Sequence, residues 1–75
     1  MSRLGSYTGE QVVKAFQRAG WQISRQRSSP IILEKEGSEA TLSVPVHKGN
    51  NVKRGTLRVL IKDAKMDVDA FLRHL

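Results

Sequence analysis

The stretch from Ser43 to Ile61, which reads SVPVHKGNNVKRGTLRVLI, determines how the chain is organised. It begins with the alternating apolar and polar residues of a half-buried strand and continues through a basic loop rich in Gly and Asn. After the loop, the apolar residues return with the period of a helix. The stretch therefore places the densest positive charge of the chain beside His47, one of two histidines. We predict that the functional site lies here.

The helix predicted after the loop has an apolar side and a basic side. Its apolar residues recur at i, i+3, i+4 and i+7, as expected for a surface helix that packs on a core. They are Leu57, Leu60, Ile61 and Ala64. The basic residues of another side are Arg58, Lys62 and Lys65. Asp67 is a suitable N-cap for a short final helix, whose apolar residues are predicted to pack back on the sheet. These are Val68, Phe71 and Leu72.

Before the stretch, the sequence predicts one helix and two strands. Residues 8–11, TGEQ, fit a capping box, so we expect a helix from Gly9 to Ala19, with Gly20 as the left-handed residue that ends it. Strands are predicted over residues 21–25 and 30–35, and a third over residues 40–46. Because proline cannot donate to a strand ladder, Pro45 predicts that the third strand is an edge strand.

These elements predict an α+β fold with the order α-β-β-β-α and a small extra helix. Short turns between the strands favour a three-stranded antiparallel meander, and packing both helices on one face of this sheet closes a single core. At 75 residues the chain has room for one domain, residues 1–75. Residues 1–7 lack an apolar period and are expected to form a loose segment.

The composition excludes several classes of protein. The chain has no cysteine, so neither a disulfide framework nor a thiolate metal site is possible. Its longest apolar runs are far too short to span a bilayer, and its N-terminus lacks a signal-peptide core. We therefore expect a soluble protein of the cytoplasm that has no membrane partner and no cofactor.

The net charge of +6 points to a polyanion as partner. From residue 48 to residue 65 there are six basic residues and one acid, Asp63, so one surface is expected to be basic. Two interpretations of this charge remain open, an RNA-binding face and lysines that serve only solubility. The residues predicted to contact RNA are Arg25, Arg27, Ser28, Ser29, Lys48, Lys53, Arg54 and Arg58.

The two histidines differ in their surroundings. His47 leaves a strand beside Lys48, so it is a candidate acid or base, and the alternative is an exposed loop histidine that hydrogen-bonds to backbone. His74 is interpreted as a solvated tail residue. Capping and surface roles account for the aspartates near the C-terminus, and no metal site is expected.

Four motifs stand in the order and spacing of the HicA-type toxins. They are Gly20-Trp21, Arg25-Gln26-Arg27-Ser28-Ser29, Val44-Pro45-Val46-His47 and Gly55-Thr56-Leu57. The chain resembles this family from about Glu10 to Leu72. The resemblance implies the toxin half of a toxin–antitoxin pair, an mRNA interferase that cleaves mRNA without a ribosome and that a HicB-type antitoxin neutralises. It also implies a fold like that of double-stranded-RNA-binding domains.

One departure from the family pattern affects the expected activity. The family usually reads Gly-Ser-His at the start of the second strand, with that histidine catalytic, and here the same places hold Ser28, Ser29 and Pro30. Metal-free RNA cleavage needs a base and an acid, and proline can supply neither. Two explanations remain open, a natural member with altered or lost activity and a form changed to be harmless to its host.

Other functions are compatible with the same fold. The main alternative is a non-catalytic module that binds double-stranded RNA or acts as an antitoxin-binding decoy, and Pro30 favours it. A purely structural protein is the third interpretation.

Overall fold

The computed structural model describes residues 3–25 and 29–75, with the backbone alone at Arg25. It contains α1 (Gly9–Arg18), β1 (Gln22–Arg25), β2 (Ile31–Glu34), β3 (Thr41–Val44), α2 (Arg54–Asp63) and α3 (Val68–Arg73). The strands form one antiparallel sheet in the order β1-β2-β3. The predicted α+β class and element order are therefore confirmed. Within the described ranges, no helix is long and apolar enough to cross a membrane.

Both caps of α1 are those that the sequence predicted. The Gln11 N–H donates to the Thr8 hydroxyl at 3.2 Å, and the Thr8 N–H donates to the Gln11 side-chain oxygen at 2.9 Å. At the other end Gly20 has a φ of +103°, and the Trp21 N–H donates to the Phe16 carbonyl at 3.0 Å. This is the Schellman arrangement, in which a left-handed glycine lets the following N–H reach back to the last turn. The helix ends at Arg18, one residue earlier than expected.

The strands are shorter than the apolar pattern suggested. Pro30 precedes β2, and β3 ends at Val44, immediately before Pro45. In both places the missing proline N–H removes a donor from the ladder. Strand β3 is an edge of the sheet, as Pro45 predicted. Leu33 pairs with Leu42 on the buried face, while Thr41 and Ser43 of β3 are exposed.

The core lies between the sheet and the helices. Helix α1 contacts β1 and β3, and α2 contacts β3, which confirms helices packed on the sheet. The predicted placement of α3 needs a correction, because its principal contacts are with α1 and α2. Phe71 is fully buried, and its ring centroid lies 5.2 Å from that of Phe16. The last helix thus closes the gap between the first two.

The N-terminal segment is better anchored than its sequence suggested. Leu4 is buried in the core, and the Tyr7 ring packs edge-on against Phe71 at a centroid distance of 6.1 Å. The Val52 N–H donates to the Tyr7 carbonyl at 2.8 Å, and Thr8 forms an isolated antiparallel β-bridge with Asn51. A few apolar contacts and one backbone pair therefore hold a segment that has no helical or strand period.

Helix α2 ends on a lysine in the left-handed region. Lys65 has a φ of +56°, and the Met66 N–H donates to the Ile61 carbonyl at 3.1 Å. Lys65 therefore occupies the position that glycine usually takes in a Schellman motif. The sequence placed Lys65 on the basic side of the helix, but it lies beyond the last helical residue, Asp63.

Replacing Lys65 with glycine should stabilise the fold. A side chain in the left-handed region destabilises the folded state by about 1–2 kcal/mol, and glycine removes this strain. Part of the gain is offset, because glycine has greater conformational freedom in the unfolded chain. We expect Lys65→Gly to raise the free energy of unfolding by about 0.5–1 kcal/mol, measured by urea denaturation. The control is Lys62→Gly, inside α2, which should lower it by about 1 kcal/mol. A loss of stability in Lys65→Gly would contradict the assigned backbone conformation.

Candidate functional site

The backbone that carries His47 is held by the start of β2. The Val46 N–H donates to the Ser29 hydroxyl at 3.2 Å, across the end of the sheet. Pro30 follows Ser29 and His47 follows Val46, so each lies next to a residue of this hydrogen bond. The two positions that the sequence singled out for chemistry therefore belong to one corner of the fold.

Helix α1 fixes the same backbone from the other side. A Cβ atom built on Gly9 would lie 2.7 Å from the Pro45 carbonyl oxygen and 2.7 Å from a Val46 methyl group. Gly9 is buried, and only glycine permits this approach. The first residue of α1 thus sets the path on which the chain leaves β3.

The loop from His47 to Lys53 is closed by backbone hydrogen bonds. The Asn50 N–H donates to the His47 carbonyl at 2.9 Å, with Gly49 at a φ of +83°. Val52 is buried and tied to Tyr7 at the far end of the loop. The loop therefore presents its polar side chains from an anchored backbone.

His47 lies between two pockets. We name the larger one, of about 500 Å³, the His47 pocket; it is lined by Pro45, His47, Asn50, Asn51, Val52, Lys53 and Thr56. It offers an imidazole, an ammonium group, two amides and a hydroxyl, and none of its lining residues is acidic. The smaller pocket, of about 260 Å³, includes Glu10 and Lys48 as well as His47. An anion is the ligand that the larger pocket favours.

The start of α2 strengthens this preference. Its N-cap, Lys53, makes no side-chain cap hydrogen bond, and its first turn contains no acidic residue. The first N–H groups of a helix lack intrahelical partners, and this end of the helix dipole attracts negative charge. The exposed Lys53 and Arg54 side chains add two cations at the same end.

A comparison with protein families identifies the group to which the chain belongs. The model described as the HicA toxin of bacterial toxin-antitoxin matches residues 9–66. The chain belongs to the HicA toxin family. The match runs from the first residue of α1 to just beyond α2, so it contains the whole sheet and the His47 pocket. Comparisons with curated proteins and with solved structures find no match.

Membership defines the biological setting of this HicA-family toxin. The family comprises toxins of toxin–antitoxin systems, and such a toxin has an antitoxin as its partner.

The predicted site residues of the HicA-family toxin are divided among several places. The His47 pocket brings His47 and Lys53 together, while Lys48 lines the smaller pocket. Arg58 lies on nearly the opposite side of α2 from Thr56, which lines the His47 pocket, because two residues turn about 200° around the helix axis. The predicted contacts Arg27 and Ser28, and the side chain of Arg25, lie outside the described residues.

Three polar residues of the His47 pocket were not among the predicted contacts. Asn50 and Asn51 looked like turn residues of the loop, and Thr56 looked like part of the helix start. Their closeness in sequence to Lys53 was the signal that could have identified them. His74, interpreted as a tail residue, is half-buried, and its carbonyl accepts a hydrogen bond from Arg18 at 2.9 Å.

A larger cleft at the β2–β3 turn differs in its charge. It has a volume of about 660 Å³, and its lining includes two glutamates, Glu36 and Glu39, as well as two lysines, Lys35 and Lys65. Because the two carboxylates offset the two cations, this cleft favours an anion less than the His47 pocket does. Among the described residues, no group of three or more His, Asp and Glu side chains is placed to hold a metal ion.

Substituting Gly9 tests how the site is held. We expect Gly9→Ala to lower the free energy of unfolding by about 1–3 kcal/mol, because the new methyl group overlaps the backbone at Pro45 and Val46. Guanidinium denaturation measures the change. Gly55→Ala is the matched control, since nothing lies within 4 Å of a Cβ atom there, and it should keep or slightly raise stability. Equal stability of Gly9→Ala and the unchanged chain would show that the close contact is absent.

Proposed function

We propose that this HicA-family toxin binds RNA at the His47 pocket and has the scaffold of an mRNA interferase, neutralised in the cytoplasm by a HicB-type antitoxin. The observation that carries the proposal is the combination, in one pocket, of an imidazole, Lys53 and an uncapped helix N-terminus. A phosphodiester with a neighbouring 2′-hydroxyl group matches this set, since it combines a negative charge with a hydroxyl group that donates and accepts hydrogen bonds.

Phosphate contacts account for the RNA-binding part of the proposal. Structured RNA is held mainly through phosphate and 2′-hydroxyl groups, which amides, hydroxyls and ammonium groups can bind. Lys53 and Arg54 lie at the start of α2, and Lys48 lies across His47 from them. Arg25, Arg27 and Ser28 are proposed RNA contacts as well, because Ser29, which follows them in the sequence, accepts a hydrogen bond from the Val46 N–H.

The catalytic part depends on position 30. Cleavage without a metal requires a base that takes the proton of the 2′-hydroxyl group, whose oxygen attacks phosphorus, and an acid that protonates the departing 5′-oxygen. His47 can serve in one of these roles, and by the resemblance a histidine at position 30 would supply the other. Pro30 carries no exchangeable proton. We therefore propose that the chain binds RNA but cleaves it about 10²–10⁴-fold more slowly than a form with both groups.

A second candidate function is a binding module without chemistry. Pro30 is the observation that favours it, because proline has no proton to transfer and position 30 is not part of the lining of the His47 pocket. Such a chain would bind RNA or sequester an antitoxin without cutting.

Restoring a histidine tests the catalytic proposal. We expect Pro30→His to cleave a structured mRNA fragment in the presence of a chelator at least about 100-fold faster than the unchanged chain. Single-turnover cleavage followed on gels measures the rates. The control is Pro30→His combined with His47→Gln, which should lose the gain if His47 is the second group. If neither the unchanged chain nor Pro30→His cuts the RNA, the binding module is favoured.

Charge reversal tests the RNA-binding face. We expect Lys53→Glu with Arg54→Glu to weaken RNA binding, and to reduce the slope of log K against log salt by about 1.4–1.8, because two phosphate contacts are lost. Fluorescence anisotropy with a hairpin RNA over a potassium chloride series gives the slope. Lys35→Glu with Arg73→Glu makes the same charge change at exposed positions away from the pocket. An unchanged slope in the Lys53 and Arg54 variant would remove this face from RNA binding.

A further inference from the structure

The outer surface of α2 presents a ridge that the RNA-binding site does not use. We define the α2 ridge by Gly55, Arg58, Val59 and Lys62, all of them exposed. It lies opposite the buried Leu57, Leu60 and Ile61. The ridge is therefore the part of α2 that points away from the core.

An apolar side chain stands at the border of the basic surface formed by Arg58 and Lys62. Val59 is 57% exposed, more than Leu75, the other large apolar residue that is exposed in the described part of the chain. Arg58 precedes it and Lys62 lies one turn further along, both on the same side of Val59 around the helix axis, while the exposed Asp63 lies one turn along on its other side. A single exposed valine needs no explanation by itself. Its position beside two cations suggests a contact that combines apolar burial with ion pairing.

Gly55, one turn before Val59, provides an independent observation. Nothing lies within 4 Å of a Cβ atom built there, and its φ is not in the left-handed region. Neither internal packing nor backbone conformation requires a glycine, which is among the least favourable residues in a helix. A glycine on an exposed helix surface does allow the backbone of a partner to approach closely. The ridge is thus smooth beside the valine.

These features fit a protein better than an RNA. A phosphate backbone gains little from a valine side chain, whereas a protein surface can bury it and can pair carboxylates with Arg58 and Lys62. The net charge of +6 favours an acidic partner. In a toxin of this family that partner is the antitoxin.

We propose that the α2 ridge binds the antitoxin at an acidic surface with a shallow apolar depression, which receives Val59 beside carboxylates that face Arg58 and Lys62. This inference rests on the antitoxin named in the proposed function. Because Gly55 is followed by Thr56, which lines the His47 pocket, a partner on the ridge borders the pocket along α2. Docking there would place the antitoxin beside the bound RNA.

Two uncharged substitutions test the ridge. Val59→Gln removes the apolar group, and Gly55→Gln fills the smooth surface, while both keep the net charge. The probe is the purified cognate HicB-type antitoxin, titrated by calorimetry. We expect each substitution to raise the antitoxin Kd by about tenfold or more, as for residues central to an interface. For Val59→Gln, which lies outside the first turn of α2, the Kd for a hairpin RNA should stay within about twofold of that of the unchanged chain.

The controls separate docking from folding. Gly55→Gln should raise the melting temperature, since glutamine favours a helix over glycine, so weaker antitoxin binding by this variant cannot reflect unfolding. Leu75→Gln removes the other exposed apolar side chain and should leave the antitoxin Kd unchanged.

Three results would overturn the proposal. An antitoxin Kd within twofold of that of the unchanged chain in both ridge variants would exclude the ridge as the docking surface. If RNA binding weakened as much as antitoxin binding, the ridge would be assigned to RNA binding instead. Failure of the unchanged chain to bind the antitoxin would reject both the ridge and this partner. RNA binding by the unchanged chain and cleavage by Pro30→His are measured separately. Failure of the ridge proposal is therefore distinguishable from failure of the proposed RNA function.

Discussion

The contact of Gly9 with the backbone at Pro45 and Val46 is the constraint on which the site depends. It brings the start of α1 closer to the end of β3 than any side chain would permit. The Ser29 hydroxyl accepts the Val46 N–H at the same place, so β2 is joined to this corner as well. His47 follows directly. Its position is therefore set by two backbone contacts that come from distant parts of the sequence, although its own side chain is exposed.

Proline determines where the sheet stops and the site begins. Without an N–H group, Pro45 ends the β3 ladder and Pro30 stays outside β2, so that β2 begins and β3 ends at the same end of the sheet. The backbone outside the strands must then satisfy its polar groups with hydrogen bonds other than those of the sheet. The Ser29 hydroxyl does so for Val46, and the Tyr7 carbonyl does so for Val52. A loop anchored in this way can hold a polar pocket beside a small core.

Helix α2 separates two kinds of surface on one element. Its N-terminus, which has no side-chain cap and is flanked by Lys53 and Arg54, lies at the His47 pocket and is proposed to bind phosphate groups. Its outer ridge carries Val59 beside two cations and is proposed to bind a protein. The two surfaces are neighbours at Gly55 and Thr56. In a toxin whose partner is an antitoxin, this closeness offers a physical route by which an antitoxin bound on the ridge would limit access of other ligands to the His47 pocket.

The sequence by itself determined the features that depend on near neighbours. The capping box, the glycine after α1, the apolar side of α2 and the edge character of β3 all follow from residues a few positions apart, because helix hydrogen bonds and strand alternation are local. The motifs also indicated the family. Only the tertiary structure decided that Leu4 enters the core, that α3 packs on helices, and that Lys53 shares a pocket with His47 while Arg58 lies on another side of α2. Those facts depend on which distant segments meet, and this is set by the packing of the whole core rather than by any single pattern.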